Sequence, residues 1–261
     1  MFREFIDFDF AETLRIPLDE GIAIPELYFV IPEMYDHSLE GTLPVRYFEP
    51  LHLQNEELDI EAVLTPDREN NQSIFLNKAT NLVLSAKHTI DIENQSFNLL
   101  EDNEPQFEGF FNAVKQQQQA GVRVRIITRD PREFNASQGI ITLQKLLERI
   151  KRFGINTDSI KVQRACHTKA IVIDSNHNNA AVLFGSHNLT TSGTLYNRDA
   201  SLLVRNTKVA QYFQEIFNYD WENLARQNAE EPAWKIRFSS KEEVLQKGEQ
   251  KISLTELLGL I

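Results

Sequence analysis

The chain has 261 residues, 41% of them hydrophobic and 17 of them Phe, which is enough apolar material for a packed core and too much for a disordered chain. A single cysteine, Cys166, excludes an intramolecular disulfide and a cysteine-rich zinc cluster. The net charge of −11 is unevenly spread: residues 1–70 carry 17 acidic and 4 basic side chains, whereas the remainder carries 23 basic and 21 acidic ones and lacks the basic excess of a tight nucleic-acid binder.

The N-terminal MFREFIDFDF is acidic and has no long apolar run, so it does not read as a secretion signal. No window approaches the roughly 18 apolar residues of a membrane-spanning helix. The expectation is a cytoplasmic protein, peripheral at a membrane if it acts on lipid.

Residues 1–60 form an acidic N-terminal segment and connector. Between 13 and 60, Pro17, Pro25, Pro32, Pro44 and Pro50 interrupt any periodicity. MFREFIDFDFAE (1–12) aligns without gaps on YFQEIFNYDWEN (212–223), which suggests the closing helix of a preceding repeat.

From residue 61 strands and helices alternate. AVLTP (62–66) reads as a strand, SIFLNKATNLVLSA (73–86) as a helix and TIDIENQSF (89–97) as an alternating strand. A helix over 105–121 ends at Gly121, and VRVRIIT (122–128) is a strand. Arg123 and Arg125 share one face of it and are expected to be solvated. The helix 139–154 turns Leu143, Leu146, Leu147 and Ile150 to one side and stops at Gly154. IKVQRA, HTKAIVID, AAVLFG and ASLLV supply further strands before a helix over 208–225, whose aromatic residues are expected in the core. This alternation predicts an α/β sandwich around a mixed β-sheet, a single repeat over 61–225, with a C-terminal tail from 226 to 261.

The chemistry concentrates in one stretch. His167, Lys169 and Asp174 form an H-x-K-x4-D pattern, followed by Gly185-Ser186-His187-Asn188 and by Asn197-Arg198-Asp199. Strand alternation places His167 and Lys169 on the same side, and Asp174, seven residues from His167, on the other. Asp174 is therefore expected to bond structurally rather than to meet a substrate. Ser186 and Asn188, two residues apart, can reach the oxygens of one phosphate. A phosphodiester is anionic and repels hydroxide, so neutral imidazole suits it as a nucleophile, with lysine and amide donors offsetting charge on the phosphate oxygens.

This order of residues resembles the phospholipase D superfamily over about 62–225, most strongly over 160–221. The resemblance implies a catalytic set of His167, Lys169 and Asp174. In it His167 is nucleophile or general acid/base, while Lys169, Ser186 and Asn188 bind phosphate. Asp199 stands where the family usually has Glu to orient an active-site histidine, and it is one methylene shorter. The implied activity is phosphodiester hydrolysis or phosphatidyl transfer through a phosphohistidine, without metal or other cofactor. A nuclease of the same superfamily and a catalytically silent phosphate-binding module are the alternatives. Of six histidines only His167 has lysine two residues later, and the chemistry needs two such motifs. The second is expected from a homodimer mate or from a partner chain.

Overall fold

An eight-stranded mixed sheet organises the chain. In the computed structural model the described residues are 46, 48–96, 105–131, 136–164 and 166–227. The sequence echo at 1–12, most of the acidic connector and nearly all of the tail lie outside them. The strands are β1 (Asp59–Leu64), β4 (Thr89–Asn94), β5 (Arg123–Arg129), β6 (Ile160–Gln163), β7 (Lys169–Ile173), β8 (Ala181–Gly185), β9 (Ala200–Arg205) and β10 (Arg226–Gln227). Their order is β1-β9-β8-β7-β4-β5-β6-β10, which puts β7, the motif strand, near the middle. β4, β5 and β6 run parallel, and β7 runs antiparallel to both β4 and β8. Short strands β2 (Arg68–Glu69) and β3 (Gln72–Ser73) pair as a separate hairpin.

Helices cover both faces. On one side α1 (Ile74–Ser85), α2 (Pro105–Gln119) and α3 (Ala136–Phe153) enclose the main core, which includes Phe75, Leu76, Ile90, Ile92, Phe110 and Ile126. The predicted stripe on α3 is seated there: Leu143, Leu146 and Ile150 are buried and Leu147 packs against them. Ser73 caps α1, its hydroxyl accepting from Leu76 N at 3.2 Å and donating to Thr194 O at 2.7 Å. Gly121 and Gly154 have φ of +89° and +75°, the left-handed conformation that lets a glycine close α2 and α3.

On the other side lies α4 (Thr207–Tyr219), capped by Asn206. Strand alternation sorts the side chains between the two faces. Ile90, Ile92, Ile171 and Ile173 point into the main core, whereas Val172, Ile127 and Cys166 belong to clusters holding Val209, Phe213 and Phe217 of α4.

Two expectations are corrected here. Arg125 is not on a solvated face. It donates to both carboxylate oxygens of the fully buried Asp91 at 2.7 and 2.8 Å and lies over the rings of Phe217 and Trp221. The last helix does not run unbroken to 225: after Tyr219 it widens into a π-helical turn, Asp220–Leu224, which turns the Asp220 side chain into the interior.

Candidate active site at the end of β7

His167 lies two residues ahead of regular strand, because β7 begins at Lys169. The sequence placed both residues within the strand; the observed lead-in still keeps them adjacent. His167 is exposed and Lys169 is buried. Lys169 Nζ donates to His167 O at 2.7 Å and to Gln95 Oε1 at 2.7 Å, and lies 3.2 Å from His167 Nδ1. An ammonium has three donors, so this set occupies all of them. Burial is the main influence on the Lys169 pKa and lowers it; the charge of Asp199 works in the opposite direction and that of Arg129 reinforces the lowering.

Asp174 sits at the far end of β7. Its carboxylate accepts from the backbone N–H groups of Lys87, His88 and Thr89 at 2.7–2.8 Å, and from the side-chain amide of Asn179. Burial alone would raise its pKa, but the amide donors outweigh burial and hold it below the usual carboxylate range. A φ of +46° suits Asp at this turn. Asp174 is thus not gathered with the other motif residues. It ties β7 to the start of β4, at the same end where His88 and His177 stack on each other with ring centroids 3.7 Å apart.

The GSHN segment leaves β8 beside the histidine. A Cβ on Gly185 would fall 2.3 Å from Ala200 O and 2.4 Å from Ser201 Oγ, so only glycine lets β8 and β9 close here. Ser186 Oγ then donates to Asp199 Oδ1 at 2.7 Å and accepts from Ala200 N at 2.9 Å. Asp199 is held from below by Thr65, whose hydroxyl accepts from Asp199 N at 3.2 Å and donates to Asn197 O at 2.7 Å. Asn188 is half-buried, and its Oδ1 has no hydrogen-bond partner. Rotating that amide would present two N–H donors instead.

His187 points into the interior. It is fully buried, stacks on Phe75 at 4.0 Å between ring centroids, and shares a 2.7 Å hydrogen bond between Nδ1 and Ser201 Oγ. Burial pushes its pKa down to about 4, so it stays neutral near physiological pH.

The end of β4 organises the site, and sequence reasoning assigned it no role. Gln95 holds Lys169. Asn94 donates to His187 O at 3.1 Å and accepts from Leu189 N at 3.0 Å, fixing the GSHN segment. Glu93, on the opposite face, contacts Cys166 and Thr168 on either side of His167. The signal was available: in TIDIENQ three polar residues stand together at the end of a buried strand, where unpaired polar groups are costly.

A helix-covered mixed sheet with an H-x-K motif at the start of a central strand defines the chain as a phospholipase D superfamily protein. It belongs to the family described as cardiolipin synthase, PLD-like domain, which matches residues 80–221. Among solved structures it is similar to Nuc, a phospholipase D family member from Salmonella typhimurium. The identity is 20% over 66% of this chain and 99% of that one, with a TM-score of 0.49. NucT from Helicobacter pylori aligns at 17% identity over 65% of this chain and 99% of that one, TM-score 0.48. Phosphatidylserine synthase from Haemophilus influenzae Rd KW20 shares the fold at TM-score 0.51 and 13% identity, over 76% of this chain and 43% of that one. No curated protein gives a significant match. Among the described residues no helix is long and apolar enough to cross a membrane.

Proposed function

We propose that this chain supplies a half-site for phosphodiester hydrolysis or phosphatidyl transfer, with a phospholipid as the favoured substrate class, through a covalent phosphohistidine on His167. The observation that carries the reading is the pairing of an exposed imidazole with a lysine held 3.2 Å from its Nδ1 by Gln95. Nε2 of His167 attacks phosphorus, the P–O bond to the first alcohol breaks, and that alcohol leaves with a proton from a second histidine. Water or a second alcohol, deprotonated by the same second histidine, then attacks phosphorus and breaks the P–N bond. Lys169, Ser186 and a rotated Asn188 amide offset charge on the phosphate oxygens.

With the Lys169 ammonium donating to Nδ1, the ring proton of His167 resides on Nε2. Attack from Nε2 needs the proton moved to Nδ1, so one Lys169 N–H turns to a phosphate oxygen as substrate binds. The second histidine comes from a homodimer mate or a partner chain. His187, neutral and buried, is unsuited to that task, and His88 and His177 lie at the opposite end of β4 and β7.

The test is to quench the protein in base during turnover of a phosphodiester and weigh its peptides. The peptide containing His167 should carry a phosphoryl adduct; turnover without any adduct there overturns the mechanism. The molecular mass of the active species separates a homodimer from a complex with another chain.

A further inference from the structure

Beneath His167, on the α4 face of the sheet, lies an acid pair that the chemistry above does not use. Glu93 of β4 is 2% exposed, and Asp220, in the π-helical turn after α4, is 9% exposed. The two carboxyls face each other closely enough to interact, and Asp220 accepts from Gln163 Nε2 at 3.3 Å. Two ionised carboxylates cannot share a buried site at reasonable cost, so one proton stays between them. Burial foremost, and then the Asp220 charge, pushes Glu93 up to about 8; burial likewise raises Asp220. A proton on the Glu93 side of the pair fits the large push on that residue.

A neutral Glu93 donates one hydrogen bond and still accepts others. Its carboxyl faces Asp220, accepts from Cys166 Sγ at 3.7 Å and lies within reach of the Thr168 hydroxyl. Those two residues bracket His167. Cys166 and Thr168 face Glu93 while His167 and Lys169 face the other way, so the exposed imidazole rides on a backbone pinned from the opposite side. The lead-in 166–168 has no regular strand hydrogen bonding of its own. Its backbone is held instead by Gln95, whose N–H donates to Thr168 O at 3.0 Å, again from the end of β4. The π-helical widening of the last helix is what delivers Asp220 to Glu93.

We propose that Glu93, buried against Asp220, is a positioning residue that fixes the His167 imidazole through Cys166 and Thr168. The statement rests on His167 being the reacting group of the proposed function. Glu93 touches no substrate; it sets where the nucleophile stands.

Glutamine reproduces the neutral acid, since its N–H2 donates to Asp220 and its carbonyl accepts from Cys166 and Thr168. Methionine keeps the length and removes both functions. In the full chain, Glu93→Gln should keep kcat within about twofold of wild type, whereas Glu93→Met should lower kcat by about tenfold or more at unchanged KM, the pattern of a displaced reacting group. Thr168→Val, which deletes one hydroxyl, should lie between them and guards against a Met variant that does not fold. A Met or Val variant with wild-type kcat, or a Gln variant as impaired as Met, overturns the proposal.

Imidazole NMR resonances of His167 give a second readout that needs no turnover. They should shift in Glu93→Met and Thr168→Val and hold in Glu93→Gln; unmoved resonances in all three overturn the positioning role. A wild-type protein inert on every phosphodiester, with resonances that shift as described, refutes the proposed function and leaves the positioning of His167 standing.

Discussion

Lys169 Nζ donates to the backbone carbonyl of His167 at 2.7 Å while standing 3.2 Å from Nδ1 of the same residue's ring. One lysine thereby touches both the backbone and the ring of the histidine. Lys169→Met removes both contacts and, on the proposed mechanism, a cation that meets the phosphate. Turnover should fall by about 10²–10³-fold, the range for losing one preorganised charge-stabilising donor. Because Lys169 is buried, an apolar replacement should leave the thermal midpoint near that of wild type. Steady-state kinetics with a parallel melting curve check both halves.

Asp174 belongs to the sequence motif but serves the fold. Asp174→Ala strands the N–H groups of Lys87, His88 and Thr89 and should cost about 2–4 kcal/mol of stability at pH 7 by urea titration. Its kcat, measured well below the melting transition, should stay near wild type. Because its pKa in the folded chain lies below the ordinary value, the stability it contributes is present above the ordinary Asp range and is lost as pH falls through the folded value.

His187 gives the opposite shift. Its pKa falls to about 4 in the folded chain against about 6.5 for a free imidazole. Between those values the unfolded chain binds a proton that the folded chain refuses, so stability declines as pH drops from about 6.5 to 4. His187→Phe, which keeps a ring against Phe75, should show a smaller decline over that window. Urea midpoints at several pH values for the two proteins make the comparison.

Glu93 acts in the higher window. From about 4.5, the ordinary carboxyl value, up to about 8 the folded chain keeps a proton that the unfolded chain has released, so stability falls as pH rises. The groups facing Glu93 are Asp220 and Cys166, with the uncharged Thr168. Glu93→Gln removes the titration and should be the more stable protein at pH 8, with little difference at pH 5. Differential scanning calorimetry at both pH values reads the sign.

Much of the fold was legible because its signals are local. Leu143, Leu146 and Ile150 repeat at helical spacing, Gly121 and Gly154 end helices through positive φ, and the 171–173 run marks a strand buried on both faces. The H-x-K spacing likewise announced two side chains on one side. The unread parts depend on partners far away in sequence. Arg125 resembles a solvated strand residue until Asp91, Asn218 and the rings of α4 enclose it. Nothing near Asp220 foretells a π-helical turn that carries its carboxyl to Glu93. Gln95 and Asn94 gain their roles only when β4 is placed beside β7, a pairing across about 75 residues that no periodicity encodes.

His167 is the proposed reacting group, and the most direct measurement is turnover of bis(p-nitrophenyl) phosphate by the wild-type protein and by His167→Ala at equal concentrations of folded chain. The expected result is nitrophenol release by the wild-type assembly and none above background from the variant, with matching circular dichroism spectra. Release by His167→Ala at the wild-type rate would contradict the assignment of His167 as the reacting group.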